Sequence, residues 1–387
     1  MKNKTALFSL GFRPFFLLAT VFASFAMFAW VTVYLFSVQL SSFSYYPMII
    51  WHSHEMVFAY AMAVVAGFLL TAIRNWTGVQ TVNGLGLMLL VVTWIVGRVA
   101  PFIINIPWLI AVLDMLFLPV LAVFIAIPLV QVGNRRNYFM IALVLIMAAL
   151  NLLVHLDVLG VLVNMANLAI KTAFYLIIAL IVIMAGRVFP MFSQNGVANK
   201  YQVQKYSLIE KLALPSYLFF MLSIVFIGVP ELVLLSSLIA AVIHLVRLKG
   251  WYNQQIWQVP LVWVLHVGYL FLIIGFIMSA VGVYKPSLYF MALHAFSIGT
   301  LGMVTIGMMA RVSIGHTGRN LKFPPKIIKP VFLLMVAAVI TRSIIPVFVS
   351  GIYKWTIIAS GIMWSLAFLL FALSYVSIWI KPRVDNV

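Results

Sequence analysis

Two histidines and a glutamate stand within four positions of one another, His52, His54 and Glu55, in the stretch "WHSHEM". The whole chain of 387 residues has seven histidines and six acidic residues. A long apolar run, "VFAYAMAVVAGFLLTAI", follows directly. Ionisable groups inside a membrane span are costly and usually functional. Imidazole is the commonest metal ligand among side chains, and a nearby carboxylate can orient it or relay a proton. On a helix His52 and His54 lie roughly 200° apart at ~100° per residue, so they cannot face one point. Glu55 lies roughly 60° from His52. Those two can share a face, with Glu55 orienting the histidine or serving as the catalytic proton carrier.

The elements that must position these groups are membrane helices. Hydrophobic residues make up 65% of the chain and charged residues 8%, far from the roughly one quarter charged residues of a soluble domain. Apolar runs of about 20 residues recur from end to end, each long enough to cross a bilayer. A bilayer leaves no water for a bare backbone, so such runs are helical. The fold class is therefore an all-α polytopic membrane protein, expected as one membrane domain over residues 1–387. The first run, Phe15–Val38, is too long for a signal-peptide core and is expected to be retained. There is no cysteine, which excludes disulfides, thiolate metal sites, Fe–S clusters and C-x-x-C-H haem attachment.

Twelve spans are predicted, at 14–38, 48–74, 82–104, 107–130, 137–156, 160–186, 208–227, 230–248, 258–283, 287–311, 327–349 and 353–380. Pro, Gly and charge clusters such as "VGNRRN" and "GHTGRNLKFPPK" separate them. Twelve spans put both termini on one side. Nineteen of the 24 Lys and Arg fall on that side, Lys2, Lys4 and Lys200 among them; Arg98, Lys171, Lys285, Arg342 and Lys354 fall on or toward the other. The positive-inside rule then places both termini in the cytoplasm. The net charge of +18 reads as this topology signal rather than as nucleic-acid binding. A short echo, "GRVAPF" at 97–102 and "GRVFPMF" at 186–192, ends two spans that would lie on opposite faces, as an inverted repeat requires.

This topology sorts the histidines by depth. His52, His54 and His294 lie within about one turn of a common level near the outer face, and His155 and Asp157 sit at the outer end of the fifth span. His244, His266 and His316 lie toward the cytoplasmic boundary. Imidazoles from separate helices suit the two faces of a haem iron, so the outer group His52, His54 and His294 is expected to bind haem. His155 or the inner triad His244, His266 and His316 is expected to hold a second metal. Each lone histidine near a helix end also has a plain reading as a hydrogen-bonded structural residue.

Several longer blocks carry a family resemblance: "GFRPFFLLA" at 11–19, "WHSHEM" at 51–56, "GFLLTAIRNWTG" at 67–78, "GRVFPMF" at 186–192, "LVWVLHVGY" at 261–269 and "LHAFSIGTLGMVTIGMMARVSIGHTGR" at 293–319. In order and spacing they resemble the NnrS family across most of the chain. The resemblance implies a multi-pass protein of the bacterial inner membrane that contains haem b and copper. It also implies a link to nitric oxide metabolism, nitrosative-stress resistance and denitrification. His52, His54, His266, His294 and His316 fall in the matching blocks, while His155 and His244 fall in less distinctive ones.

The leading expectation is thus a haem- and copper-containing membrane protein that binds nitric oxide and, if turned over, reduces it. Its electron donor would be quinol or a redox protein, and its surroundings membrane lipid. Glu55, Asp157, Lys171 and Asp114 are the candidates for proton handling, and Arg98 or Arg342 for pairing with haem propionates. Two other classes stay open. One is a proton-coupled secondary transporter, although "RNWTGVQTVNG" between spans two and three lacks the Gly-Asp-Arg signature of the common twelve-helix superfamily. The other is a haem or nitric oxide sensor without turnover.

Overall fold

The computed structural model describes residues 6–36, 45–197 and 201–385. Lys2, Lys4 and Lys200, used in the charge count, lie outside them, as does the predicted end of the first span. All regular structure among the described residues is helical. Twelve helices are long and apolar enough to cross a membrane: α1 Phe12–Phe36, α2 Met48–Thr77, α3 Gly84–Ile103, α4 Pro107–Gln131, α5 Arg135–Val158, α6 Met165–Gly196, α7 Ser207–Ile227, α8 Pro230–Trp251, α9 Pro260–Gly282, α10 Ser287–Gly315, α11 Ile328–Phe348 and α12 Tyr353–Ile380.

These match the expected spans in number and order, and the largest difference is at α6. "GRVFPMF" was expected to end that helix, yet it runs on to Gly196 with Pro190 inside it. Membrane helices tolerate an internal proline: Pro190 lacks the N–H that would meet the Gly186 carbonyl one turn back, and the helix still runs on to Gly196.

Among the described residues four spans contain a π-helical stretch. Two of them begin right after a histidine: Glu55–Ala61 follows His54 in α2, and Ala295–Gly302 follows His294 in α10. Wide turns of this kind occur frequently at functional sites.

The chain divides into two compact units. Unit 1 comprises Met1–Phe174, Val312–Arg319 and Ala372–Val387; unit 2 comprises Tyr175–Arg311 and Asn320–Phe371. Within unit 1, α2 is buried along most of its length, with Ala59, Tyr60, Ala61, Ala63 and Ala66 fully enclosed. Gly67 lets α1 approach closely, because a Cβ there would strike Phe15 and Phe16. Within unit 2, α9 and α10 pack through glycines on both sides: Gly268 against Val304 and Gly307 against Val264 and Leu265. Small residues replace hydrophobic driving force as the means of close helix packing in lipid. In both units the packing leaves polar side chains sealed in the interior.

Candidate metal centre

In unit 1 a continuous polar network is enclosed among α2, α3, α4 and α5. It starts from His54, which is fully buried. The His54 Nδ1 lies 2.9 Å from Glu55 Oε1. Its Nε2 faces Asn151 Oδ1 of α5 at 2.8 Å and Asp114 Oδ2 of α4 at 3.4 Å. The same Asp114 oxygen lies 2.8 Å from His155 Nε2 and accepts from Asn151 Nδ2 at 2.8 Å. Behind His155, its Nδ1 meets the Tyr45 hydroxyl at 2.7 Å. Burial pushes the Tyr45 phenol well above its ordinary pKa, so it stays neutral as a hydrogen-bond partner.

Arg98 closes the network. Its Nη1 donates to both Glu55 oxygens, at 3.1 and 3.0 Å, and its Nη2 ion-pairs with Asp114. Gly97 beside it is a packing requirement, since a Cβ would strike Asp114. A carboxylate sealed away from water keeps its charge only when paired and hydrogen-bonded, and the one guanidinium serves both acids.

His54, Asp114 and His155 form a group of three side chains, all buried, that could hold a metal ion. Both imidazoles aim Nε2 inward. Each has a partner on Nδ1, Glu55 for one and Tyr45 for the other, which is how metal-bound histidines are usually oriented. Two nitrogens and a carboxylate oxygen suit borderline divalent ions such as copper(II), zinc or iron(II). Asp114 stood only as a further intramembrane acid in the sequence, and nothing there tied it to His54 or His155.

Glu55 corrects one expectation: it partners His54, not His52. The angular argument followed Cβ directions, whereas a glutamate on two methylenes reaches toward its counter-charge, Arg98. His52 itself stacks on Trp30 of α1, ring centroids 4.3 Å apart and planes 17° from parallel. Asp157 caps the next helix, accepting from the Ala166 backbone N–H at 2.7 Å.

His316, also in unit 1, lies beside Phe12 with ring centroids 5.9 Å apart. Burial, with Arg383 and Arg74 nearby, lowers its pKa, so its imidazole is neutral at pH 7.

Unit 2 holds the other histidines. His244 is consumed structurally: Nδ1 meets the Tyr269 hydroxyl at 2.5 Å and Nε2 the Ala213 carbonyl at 3.1 Å. Tyr269 accepts from Arg247 Nη1 at 3.0 Å, and Arg247 pairs with Glu210 at 2.6 Å. A Cβ on Gly186, the echo of Gly97, would strike this Arg247–Glu210 pair.

His266 and His294 are different. Each places Nδ1 against its own helix's carbonyl four residues back, Val262 at 3.1 Å and Phe290 at 2.7 Å. A carbonyl only accepts, so Nδ1 carries the proton and Nε2 the lone pair, as a ligand requires. For His266 the polar neighbours of Nε2 are Ser193 Oγ at 3.3 Å and the Trp251 carbonyl at 3.5 Å. The serine proton is already given to Phe189.

Of the two arginines expected near haem carboxylates, Arg98 gives both terminal nitrogens to acids. Arg342 lies in unit 2, donating to the Tyr353 hydroxyl at 3.0 Å, with its Nη1 3.9 Å from Met291 Sδ. Met291 is one turn from His294 on α10.

Among curated proteins no relative matches this chain. Its agreement with a known family runs from residue 6 to residue 383. That range takes in both units and every histidine described above, and it places the chain in the family described as NnrS protein.

Proposed function

We propose that this NnrS protein is a haem- and copper-containing protein of the bacterial inner membrane, with both termini cytoplasmic, that binds nitric oxide and reduces it when electrons are supplied. The observation that carries the reading is the buried His54–Asp114–His155 group with its complete set of outer partners. These three residues would hold copper, which there supplies one-electron chemistry and a place for a small ligand. The donors fit: no sulfur, two Nε2 atoms that now face oxygens and would give up their protons to the ion, and one carboxylate whose charge Arg98 holds in place. This reading sets His54 and His155 on one ion rather than dividing them between haem and a second metal.

This reading assigns haem to unit 2. His294 offers a lone pair on Nε2, and Arg342 lies one turn away as a partner for a propionate. His266 offers a second lone pair. Converting two nitric oxide molecules to N₂O and water takes two electrons and two protons. Quinol or a redox protein would deliver the electrons. Glu55, a carboxylate between His54 Nδ1 and Arg98, is the group placed to take up and pass on a proton at the site's edge, and Tyr45 steadies His155 from the other side.

The sealed Arg98, Glu55 and Asp114 charges favour one other reading, a proton-coupled transporter. The visible spectrum of the purified protein with and without nitric oxide, together with metal analysis, separates the two. Haem bands that shift with nitric oxide, and copper that disappears in His155→Ala while haem remains, are expected. Protein made with ample haem and copper that is colourless and metal-free would overturn the reading.

A further inference from the structure

Arg311 stands near the C-terminal end of α10. Its residue is 8% exposed, yet no hydrogen bond or ion pair reaches its guanidinium among the described residues. What it does have is the face of Phe192, 3.9 Å from its central carbon to the ring centroid. The other buried arginines differ. Arg98 and Arg247 have carboxylates, Arg13 has the Trp379 and Lys381 carbonyls, and Arg342 has a phenol.

No acidic side chain among the described residues is left for it. There are six acidic residues. Glu55 and Asp114 share Arg98, Glu210 holds Arg247, Asp385 holds Arg383, and Asp157 caps a helix. Glu231 is on the first turn of α8. The end of α8 that packs beside Arg311's neighbours is Trp251, whose ring centroid is 6.0 Å from Phe189, one turn before Phe192. Glu231 is twenty residues from Trp251, about 30 Å along the helix.

A buried guanidinium cannot discard its proton, and an unpaired charge in a span is costly. A ring face contributes far less than a charge-assisted pair to an oxyanion. We infer that Arg311 is the anchor of an oxyanion site whose occupant comes from outside the chain. The chemistry is a carboxylate or phosphate group on an amphiphilic ligand that reaches this depth. Two sources have that chemistry: the phosphate of an anionic lipid and a propionate of haem. The haem source rests on the reading proposed above; the lipid source does not.

The test uses the full chain in mild detergent, as wild type, Arg311→Gln and Arg311→Lys. Phosphatidylglycerol and neutral phosphatidylcholine are titrated by native mass spectrometry. Haem and its dimethyl ester are titrated by absorption. Wild type is expected to prefer the anionic member of one pair, phosphatidylglycerol or free-acid haem, by about tenfold or more, the scale of a charge-assisted hydrogen bond. R311Q is expected to lose that preference and R311K to keep part of it. Loss confined to the lipid pair assigns the site to lipid, and loss confined to the haem pair assigns it to a propionate. If R311Q keeps every preference of the wild type, or wild type shows none, the oxyanion site is wrong. Wild type that takes up no haem yet loses its lipid preference on R311Q would sink the haem reading and leave this site standing.

Discussion

His155 Nε2 and His54 Nε2 converge on a single oxygen of Asp114, at 2.8 and 3.4 Å. Three helices thus aim their donors at one point. Asp114→Asn keeps the shape and removes the charge, so copper content is expected to fall to near zero while haem absorption persists. Metal analysis beside the visible spectrum reads both. Copper retained at wild-type stoichiometry would reject Asp114 as a ligand.

Glu55 acts through His54. Loss of such an outer partner costs about 10–100-fold in metal affinity. Glu55→Gln is expected to weaken copper by that factor and Glu55→Ala by at least as much, measured by competition with a chelator. An unchanged affinity in both variants would separate Glu55 from the metal.

Arg98 is shared by two sealed carboxylates, with side chains 8%, 4% and 1% exposed for Arg98, Glu55 and Asp114. Removing one member of a buried pair costs about 3–5 kcal/mol. Arg98→Gln is expected to lower the thermal midpoint more than Arg247→Gln, because Glu210 is 26% exposed and water can take over its charge. The reverse order would show that the unit 1 acids are neutral in the folded protein.

Gly97 and Gly186 each lie against a buried charged pair or carboxylate. Gly97→Ala is expected to reduce bound copper by displacing Asp114, whereas Gly186→Ala is expected to destabilise unit 2 with copper unchanged. Metal analysis and thermal unfolding of the two variants test this contrast.

The lowered pKa of His316 gives a pH dependence of known sign. Unfolded chain takes up a proton near 6.5 and the folded protein resists it. Stability is intact above that value and declines as pH falls below it toward the folded pKa. Thermal midpoints between pH 8 and 5 are expected to fall less in His316→Gln; parallel curves would remove His316 as the cause.

The spans were legible because lipid imposes one rule, that long apolar runs are helices. The family was legible from motif blocks. The metal group was only half legible. His54 and His155 were candidates, but Asp114, Asn151 and Tyr45 come from other helices or a loop, and apolar periodicity does not say which helix faces which. Even local geometry misled where side-chain reach decided, as at Glu55. At α6, "GRVFPMF" reads as a stop by composition, yet a bilayer lets a helix pass through an internal proline, and composition does not say which prolines end a span.

The wide turn that starts at Glu55 sets the phase of α2. It contains one residue more than an ordinary turn needs. Were the same residues wound as ordinary α-helix, His54 would turn by roughly 100° relative to Met62 and everything after it. The donors would then point away from Asp114 although no ligand had been replaced. The wide turn holds the two halves of α2 in phase, so its hydrogen bonding is as much a part of the centre as the histidines are.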